Sequence, residues 1–433
     1  MTLLIIKILN LIVSWVLSNI LPYAAKYFIR YITFLVVLVA PINTLSAETT
    51  LGPKFFIADE LGEACTKDAQ GKERDEDEVW MALHNLTQYH QKYVDKLNTS
   101  TSLTAKHDKY SANWKPILFN SYAAAASNDT VLARIIIDGL TNMATAQIYL
   151  NEKGLMTWKQ ALDTRCYEKG TDAPCPSHTP RFVTRMYANL FISAAVLQSF
   201  MTDDDREAIL PWFKAAYKKF MLPPLKNNNS DGIYDFANLG FAQLAYAALT
   251  NNKGLARREL STRRRDLTRR IQTSGYIRNN SYRGVRALWY HTYGLDPALS
   301  YALVAREWGE DFFNDPKLGP RFKAAIEKTA LGVNDYTAFR SVGNQGSSYS
   351  INPDDEIASI HQYALNLPLI AKREFGISLP LDNRYKHLRK YESYSSTSGM
   401  MASCYYSSVR GIVKNSVIPK SENKTLSSGN NRP

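Results

Sequence analysis

The chain has 433 residues, a formal charge of +12, 21% charged and 45% hydrophobic residues, and four cysteines. Such a composition excludes a disulfide scaffold and a wholly disordered polymer, and it supplies enough apolar side chains for a sizeable core. The excess of cations points to a polyanionic partner, and neither zinc-finger spacing nor an RNA-binding aromatic signature makes that partner a nucleic acid.

The first 47 residues carry Lys7, Lys26 and Arg30 but no acid. Their apolar runs, from Leu3 to Ala25 and from Tyr31 to Ala40, stand outside the globular fold. The second run has a basic flank, a short apolar core and then Thr44-Leu-Ser-Ala47, the layout of a secretory signal with a small-residue cleavage site. The first is long enough to span a bilayer, which takes about 20 residues. Residues 1–47 are thus expected to be a signal peptide or an N-terminal membrane anchor. Export with cleavage near Ala47 is the favoured form, giving a periplasmic or secreted protein. An acidic polysaccharide is then a more natural polyanion than DNA. Cys166 and Cys175 flank a short loop with Gly170 and Pro174 and predict a local disulfide, which leaves a long-range pairing of Cys65 with Cys404 open. No paired-Cys or paired-His spacing suggests a metal.

From Asp75 onward apolar residues recur at helical spacing between short polar or Pro/Gly turns, and strand-like alternation is nearly absent. Helices are expected over 76–97, 114–127, 129–141, 143–151, 158–163, 179–199, 203–219, 238–251, 257–274, 282–294, 297–308, 317–332 and 356–375. Thr202-Asp-Asp-Asp and Asp296-Pro297 read as N-terminal caps. With no linker of shifted composition, these helices predict one all-α domain over 48–420, with helices paired in a ring, followed by a polar, disordered tail at 421–433. A monomer is expected. Trp212 and Trp308 read as core, Lys109-Tyr110 as a loop. The seven arginines between Arg257 and Arg270 read as a solvated face.

The richest stretch is Gly275-Tyr-Ile-Arg-Asn-Asn-Ser-Tyr-Arg-Gly-Val-Arg-Ala-Leu-Trp-Tyr-His-Thr-Tyr-Gly-Leu295. Wound as one α-helix, it would bring Arg283, Arg286, Tyr290 and Tyr293 within roughly 80° of one another. Two cations and two phenols on a narrow stripe suit an anionic ligand, although arginines that snorkel and tyrosines that pack give the same pattern.

Arg283-x-x-Arg-Ala-Leu-x-Tyr-His-x-Tyr-x-Leu-x-Pro297, preceded by Gly275-Tyr-Ile, resembles the signature segment of the periplasmic alginate (polymannuronate) lyases, polysaccharide lyase family five. The similarity runs on through Pro297-Ala-Leu-Ser-Tyr-Ala-Leu-Val-Ala, Gly332-Val-Asn-Asp and the segment 356–370, and covers about 112–375. Asn238-Leu-Gly-Phe-Ala-Gln-Leu-Ala-Tyr resembles the helix that bears the family's Asn-Asn-His motif. The resemblance implies an (α/α) toroid with a deep tunnel, cleavage of 1,4-linked polyuronates by β-elimination, and no metal or other cofactor. It implies Tyr290 as catalytic acid/base, with Arg283 and Asn238 on the substrate carboxylate. The family's His falls on Leu239, and its first Asn on Ala237. Arg185 falls near a substrate-contacting arginine of the family.

The chemistry agrees from below. Removing the proton α to a uronate carboxylate needs cations and hydrogen-bond donors on the developing dianion. Where that proton and the leaving oxygen share one side of the ring, as in a β-mannuronate, one tyrosine can take the proton and return it. A syn elimination therefore survives a Leu at position 239; an anti elimination would need a separate base. Arg286 to Tyr293 repeats the spacing of Arg283 to Tyr290, so Tyr293 is the second candidate and Arg286 a further carboxylate contact. His291 and His361 either orient substrate or close core hydrogen bonds. The alternatives are a glycoside hydrolase, with carboxylates among Asp231, Asp235 and Asp296, and a non-catalytic binder of acidic polysaccharide.

Overall fold

Two kinds of helix follow from the sequence, apolar nearly all round or apolar on one side, and their sorting builds the molecule. The computed structural model describes residues 62–66, 76–99, 114–164, 178–226, 233–282, 284–335, 339, 366–378 and 402–407, all within one compact unit of residues 52–433. In chain order come α1 (Glu76–Gln88), α2 (His90–Asn98), α3 (Lys115–Ser127), α4 (Thr130–Thr145), α5 (Trp158–Thr164), α6 (His178–Val196) and α7 (Asp203–Ala216). They are followed by α8 (Leu222–Lys226), α9 (Ile233–Leu249), α10 (Lys253–Arg270), α11 (Ala287–Glu307), α12 (Gly319–Asn334), α13 (Leu367–Phe375) and α14 (Ala402–Ser407). The described residues contain no strand, only an isolated bridge between Ile271 and Ile277.

Helices α3, α6, α9 and α11 pack side by side in that order as an inner layer. Along α6 and α11 nearly every side chain is buried. Amphipathic helices back them: α4 lies on α3, α10 on α9 and α12 on α11. Helix α7 lies on α4 and reaches α6 through aromatic contacts, Phe213 on Phe191 at 4.4 Å and Trp212 on Tyr187 at 5.4 Å between centroids. From α11 the contacts pass to α13, α14, the 3₁₀ turn Glu63–Thr66 and back to α3, a closed circuit. This is the helical-hairpin packing of an (α/α) toroid, as expected. The circuit is covalently locked, because Cys65 is bonded to Cys404 across 339 residues of sequence. Cys166 and Cys175 lie outside the described residues, as do the segment 1–47 and the tail 421–433.

Caps set several helix starts. Asp129 accepts the Val131 and Leu132 N–H groups at 3.0 Å each and opens α4. Thr202 and Asp205 form a reciprocal capping box on α7. Arg134 of α4 grips Asp205 with two hydrogen bonds, at 2.9 and 2.7 Å, which hold that carboxyl well below the usual range.

Four expectations change, the first being that 76–97 is two helices, α1 and α2, on either side of Tyr89. The segment 143–151 is not a helix: α4 ends at Thr145, and Gln147 and Tyr149 take positive φ in the turns that follow. The segments 282–294 and 297–308 are one helix, α11, which starts at Ala287 and runs straight through Pro297. Burial on all sides of α11 outweighs the hydrogen bond a proline forfeits. The arginines of α10 are not all solvated, for Arg263 and Arg270 are buried. Arg263 binds Glu259 at 2.7 Å, Tyr301 of α11 donates to the same carboxylate at 3.3 Å, and the guanidinium lies 5.8 Å from the Tyr301 ring centroid.

That buried pair fits because Gly240 of α9 has no side chain. A Cβ there would come within 2.6 Å of Glu259 Oε1 and 2.8 Å of Arg263 Nε. Urea denaturation of Gly240→Ala should show a loss of about 1–3 kcal/mol from overpacking a buried ion pair. Gly254→Ala, whose nearest neighbour would be 3.5 Å away, should be neutral or stabilising by up to about 1 kcal/mol. Equal effects at the two positions would contradict this packing.

Candidate active site

The route from α10 into α11 is a tight turn built on α12. After Arg270 the chain extends, Ile271 bridges to Ile277, and Gly275 takes φ +88°. A Cβ at Gly275 would lie 2.3 Å from the Ala324 carbonyl oxygen, so only glycine lets the turn sit this close to α12.

Side chains then staple the turn to the head of α11. His291 is fully buried, and its Nε2 lies 3.0 Å from the Ala325 carbonyl oxygen of α12. A carbonyl only accepts, so Nε2 carries the proton and Nδ1 is the acceptor. The Ser281 hydroxyl donates to that Nδ1 at 2.8 Å, while its oxygen accepts the Ile277 N–H at 2.8 Å. Asn280 Nδ2 donates to the Tyr290 carbonyl at 2.7 Å. The 3₁₀ turn Gly284–Arg286 completes the path.

The four-residue stripe is therefore not one α-helix. Arg286 is the N-cap residue of α11, with φ −102° and ψ 13°, and only Tyr290 and Tyr293 stand on the helix itself. Both are half-buried and share Trp289: Tyr290 meets it edge-on at 4.6 Å and Tyr293 stacks on it at 4.9 Å. Arg286 is half-buried at the helix head, where aligned N–H groups favour negative charge. Arg283 and His361 lie outside the described residues. Asn238 falls on α9, which packs against α11 on one side and α6 on the other. Helix α6 carries the half-buried Arg185. The fold thus puts the helices of Arg185, Asn238 and Tyr290 next to one another in the inner layer.

Two readings are corrected here. His291 takes the core alternative, with both nitrogens engaged inside the protein. Asp296 is neither a cap nor a cleft carboxylate. It is buried in mid-helix with neither oxygen hydrogen-bonded among the described residues, and burial pushes its carboxyl well above the usual range. That removes it from any hydrolase pair. Trp212 is core as expected, and Trp308 is only partly buried. Sequence reasoning missed Ser281 and Asn280, whose signal was polar residues spaced ten before the two groups they hold. Among the described residues no group of His, Cys, Asp and Glu could hold a metal, and no helix is long and apolar enough to cross a membrane.

Residues 179–339 match the family model described as alginate lyase, which places this central segment, from the head of α6 to beyond α12, in that family. By that match the chain is a polysaccharide lyase, an enzyme that breaks carbon–oxygen bonds. Among solved structures, alginate lyase A1-III from Sphingomonas species A1 is similar at 14% identity over 69% of this chain and 77% of its own, with a TM-score of 0.48. A histidine-to-alanine variant of A1-III complexed with a tetrasaccharide gives 14% identity over 69% and 78%, with a TM-score of 0.48. No curated protein matches this chain.

Burial pushes His291 down to about 4, so the folded state holds it neutral. The unfolded chain, at about 6.5, takes up the proton first. The stability tied to neutral His291 is thus complete above about pH 6.5 and is lost as pH falls towards 4, by on the order of 3 kcal/mol. Urea midpoints of the wild type should fall towards those of His291→Gln over that window; parallel curves would contradict the assignment.

Proposed function

We propose that this chain cleaves a 1,4-linked polyuronate, polymannuronate or a related glucuronan, by metal-independent syn β-elimination after export from the cytoplasm. The observation that carries the reading is the family match across 179–339, which contains both Tyr290 and the helix of Asn238. Tyr290 is the acid/base. As phenolate it takes the C5 proton, the C4–O4 bond breaks as the C4–C5 double bond forms, and the phenol returns that proton to O4. Arg283 and Asn238 neutralise the carboxylate while negative charge builds on it, with Arg286 and Arg185 as further contacts to the polymer. Tyr293 lines the site beside Trp289.

The half-burial of Tyr290 against Trp289 and the Asn280 bond to its backbone support this role, because a group that must both take and return a proton gains from being held in place. Leu239 bears on stereochemistry. With an aliphatic side chain where a second base would stand, the expected substrate has its C5 proton and O4 on one side of the ring.

Tyr290→Phe should lower kcat on polymannuronate by about 100-fold or more, read as unsaturated uronate formed per minute, with an unchanged melting temperature. Tyr293→Phe should cost far less. Full activity in Tyr290→Phe sinks the mechanism.

A further inference from the structure

Beside the turn that leads into α11, on its α10 and α12 side, lies a cavity of about 450 Å³ that the proposed chemistry does not use. Three arginines from three parts of the chain line it: Arg269 from the end of α10, Arg278 from the turn, and Arg321 from the start of α12. Thr268, Gln272, Thr273 and Ser274 complete its polar wall.

The charges do not cancel. Arg269 gives one N–H to Asp266 at 3.1 Å, and Arg321 gives one to the Ile271 carbonyl at 2.7 Å, which fixes its place in the wall. Arg278 is exposed, and its backbone N–H is tied to the Arg270 carbonyl at 2.9 Å, so the turn that carries it is held. Among the described residues, one carboxylate against three guanidiniums leaves a cationic hollow of a size that ordinary ligand pockets share. Guanidinium forks match carboxylates in pairs of hydrogen bonds, and hydroxyl and amide groups match sugar hydroxyls.

We infer that this cavity is a second, non-catalytic binding site for a uronate unit of an acidic polysaccharide. The inference rests on the polyuronate reading above, and names a separate place where the same polymer is held. A polymer bound there and at Tyr290 is held twice, so its effective concentration at the reacting centre rises with chain length.

The test is hydrogen exchange of the intact chain with mannuronate trisaccharide, with formation of unsaturated uronate scored on polymannuronate in parallel. The trisaccharide should slow exchange in peptides covering 272–278. Arg269→Ala/Arg278→Ala should weaken that protection at least tenfold in concentration, and added salt should weaken it in the wild type. Arg278→Lys, which keeps the charge but loses the fork, should fall between, and the melting temperature should show all variants folded. Equal protection by inorganic phosphate at the same concentration overturns the assignment, because the hollow then takes any anion. Absence of protection overturns it too. Turnover of polymannuronate in that case leaves the lyase reading standing, and no turnover removes both.

Discussion

The contact on which the site depends is a buried imidazole. His291 joins three pieces of chain that are distant in path: the turn through Ser281, the first turns of α11, and the Ala325 carbonyl of α12. Because a carbonyl takes only a proton donor, the tautomer is fixed, and the Ser281 hydroxyl must point its hydrogen inward. Its oxygen then receives the Ile277 N–H, which holds the turn in register. A charged imidazolium would lose the acceptor that Ser281 needs and, among the described residues, would be buried without a counter-ion. The residue next to Tyr290 thus ties the head of α11 to the turn and to α12. Asn280 repeats the device on the Tyr290 carbonyl.

The scaffold around this contact follows from helices that differ in how much of their surface is apolar. Helices that cannot afford water on any side become the inner layer, and those with one wet face cover them. Two buried ion pairs enter that interior with further partners. Glu259 and Arg263 are accompanied by Tyr301 and fit in space left by Gly240. Near the end of α11, Arg306 grips Glu374 of α13 with two hydrogen bonds at 2.7 and 2.6 Å, and Tyr406 of α14 donates to the same carboxylate at 2.6 Å. These bonds join the last helices of the circuit at the side that Cys65 and Cys404 close. Asp296 has no such partner among the described residues, and burial pushes its carboxyl well above the usual range.

Much of this was legible in the residues. Helical spacing marked the run of helices, Thr202 and Asp205 announced their cap, and the Arg283 to Pro297 pattern identified the family segment. What misled was local punctuation. Asp296-Pro297 looks like a helix start, but the lost hydrogen bond and the ring's crowding of the carbonyl four residues back are outweighed by the burial of α11. Gln147 and Tyr149 carry no sign of positive φ, because their conformation is imposed by neighbours such as Tyr187 and Trp212, which both donate to the Ile148 carbonyl. Arg263 was indistinguishable from its solvated neighbours, since its burial depends on a glycine in another helix. The arginine cavity was invisible for a similar reason: Arg269, Arg278 and Arg321 meet only once the turn is folded. For Arg283 and Asn238 the sequence pattern remains the ground of the proposal.

The account stands on the claim that this chain breaks a uronate polymer by elimination. The direct measurement is to incubate it with polymannuronate and follow ultraviolet absorbance of unsaturated uronate together with new reducing ends. Elimination predicts that the two rise together, one unsaturated end for each cut. New reducing ends without the absorbance would mean hydrolysis and would contradict the account.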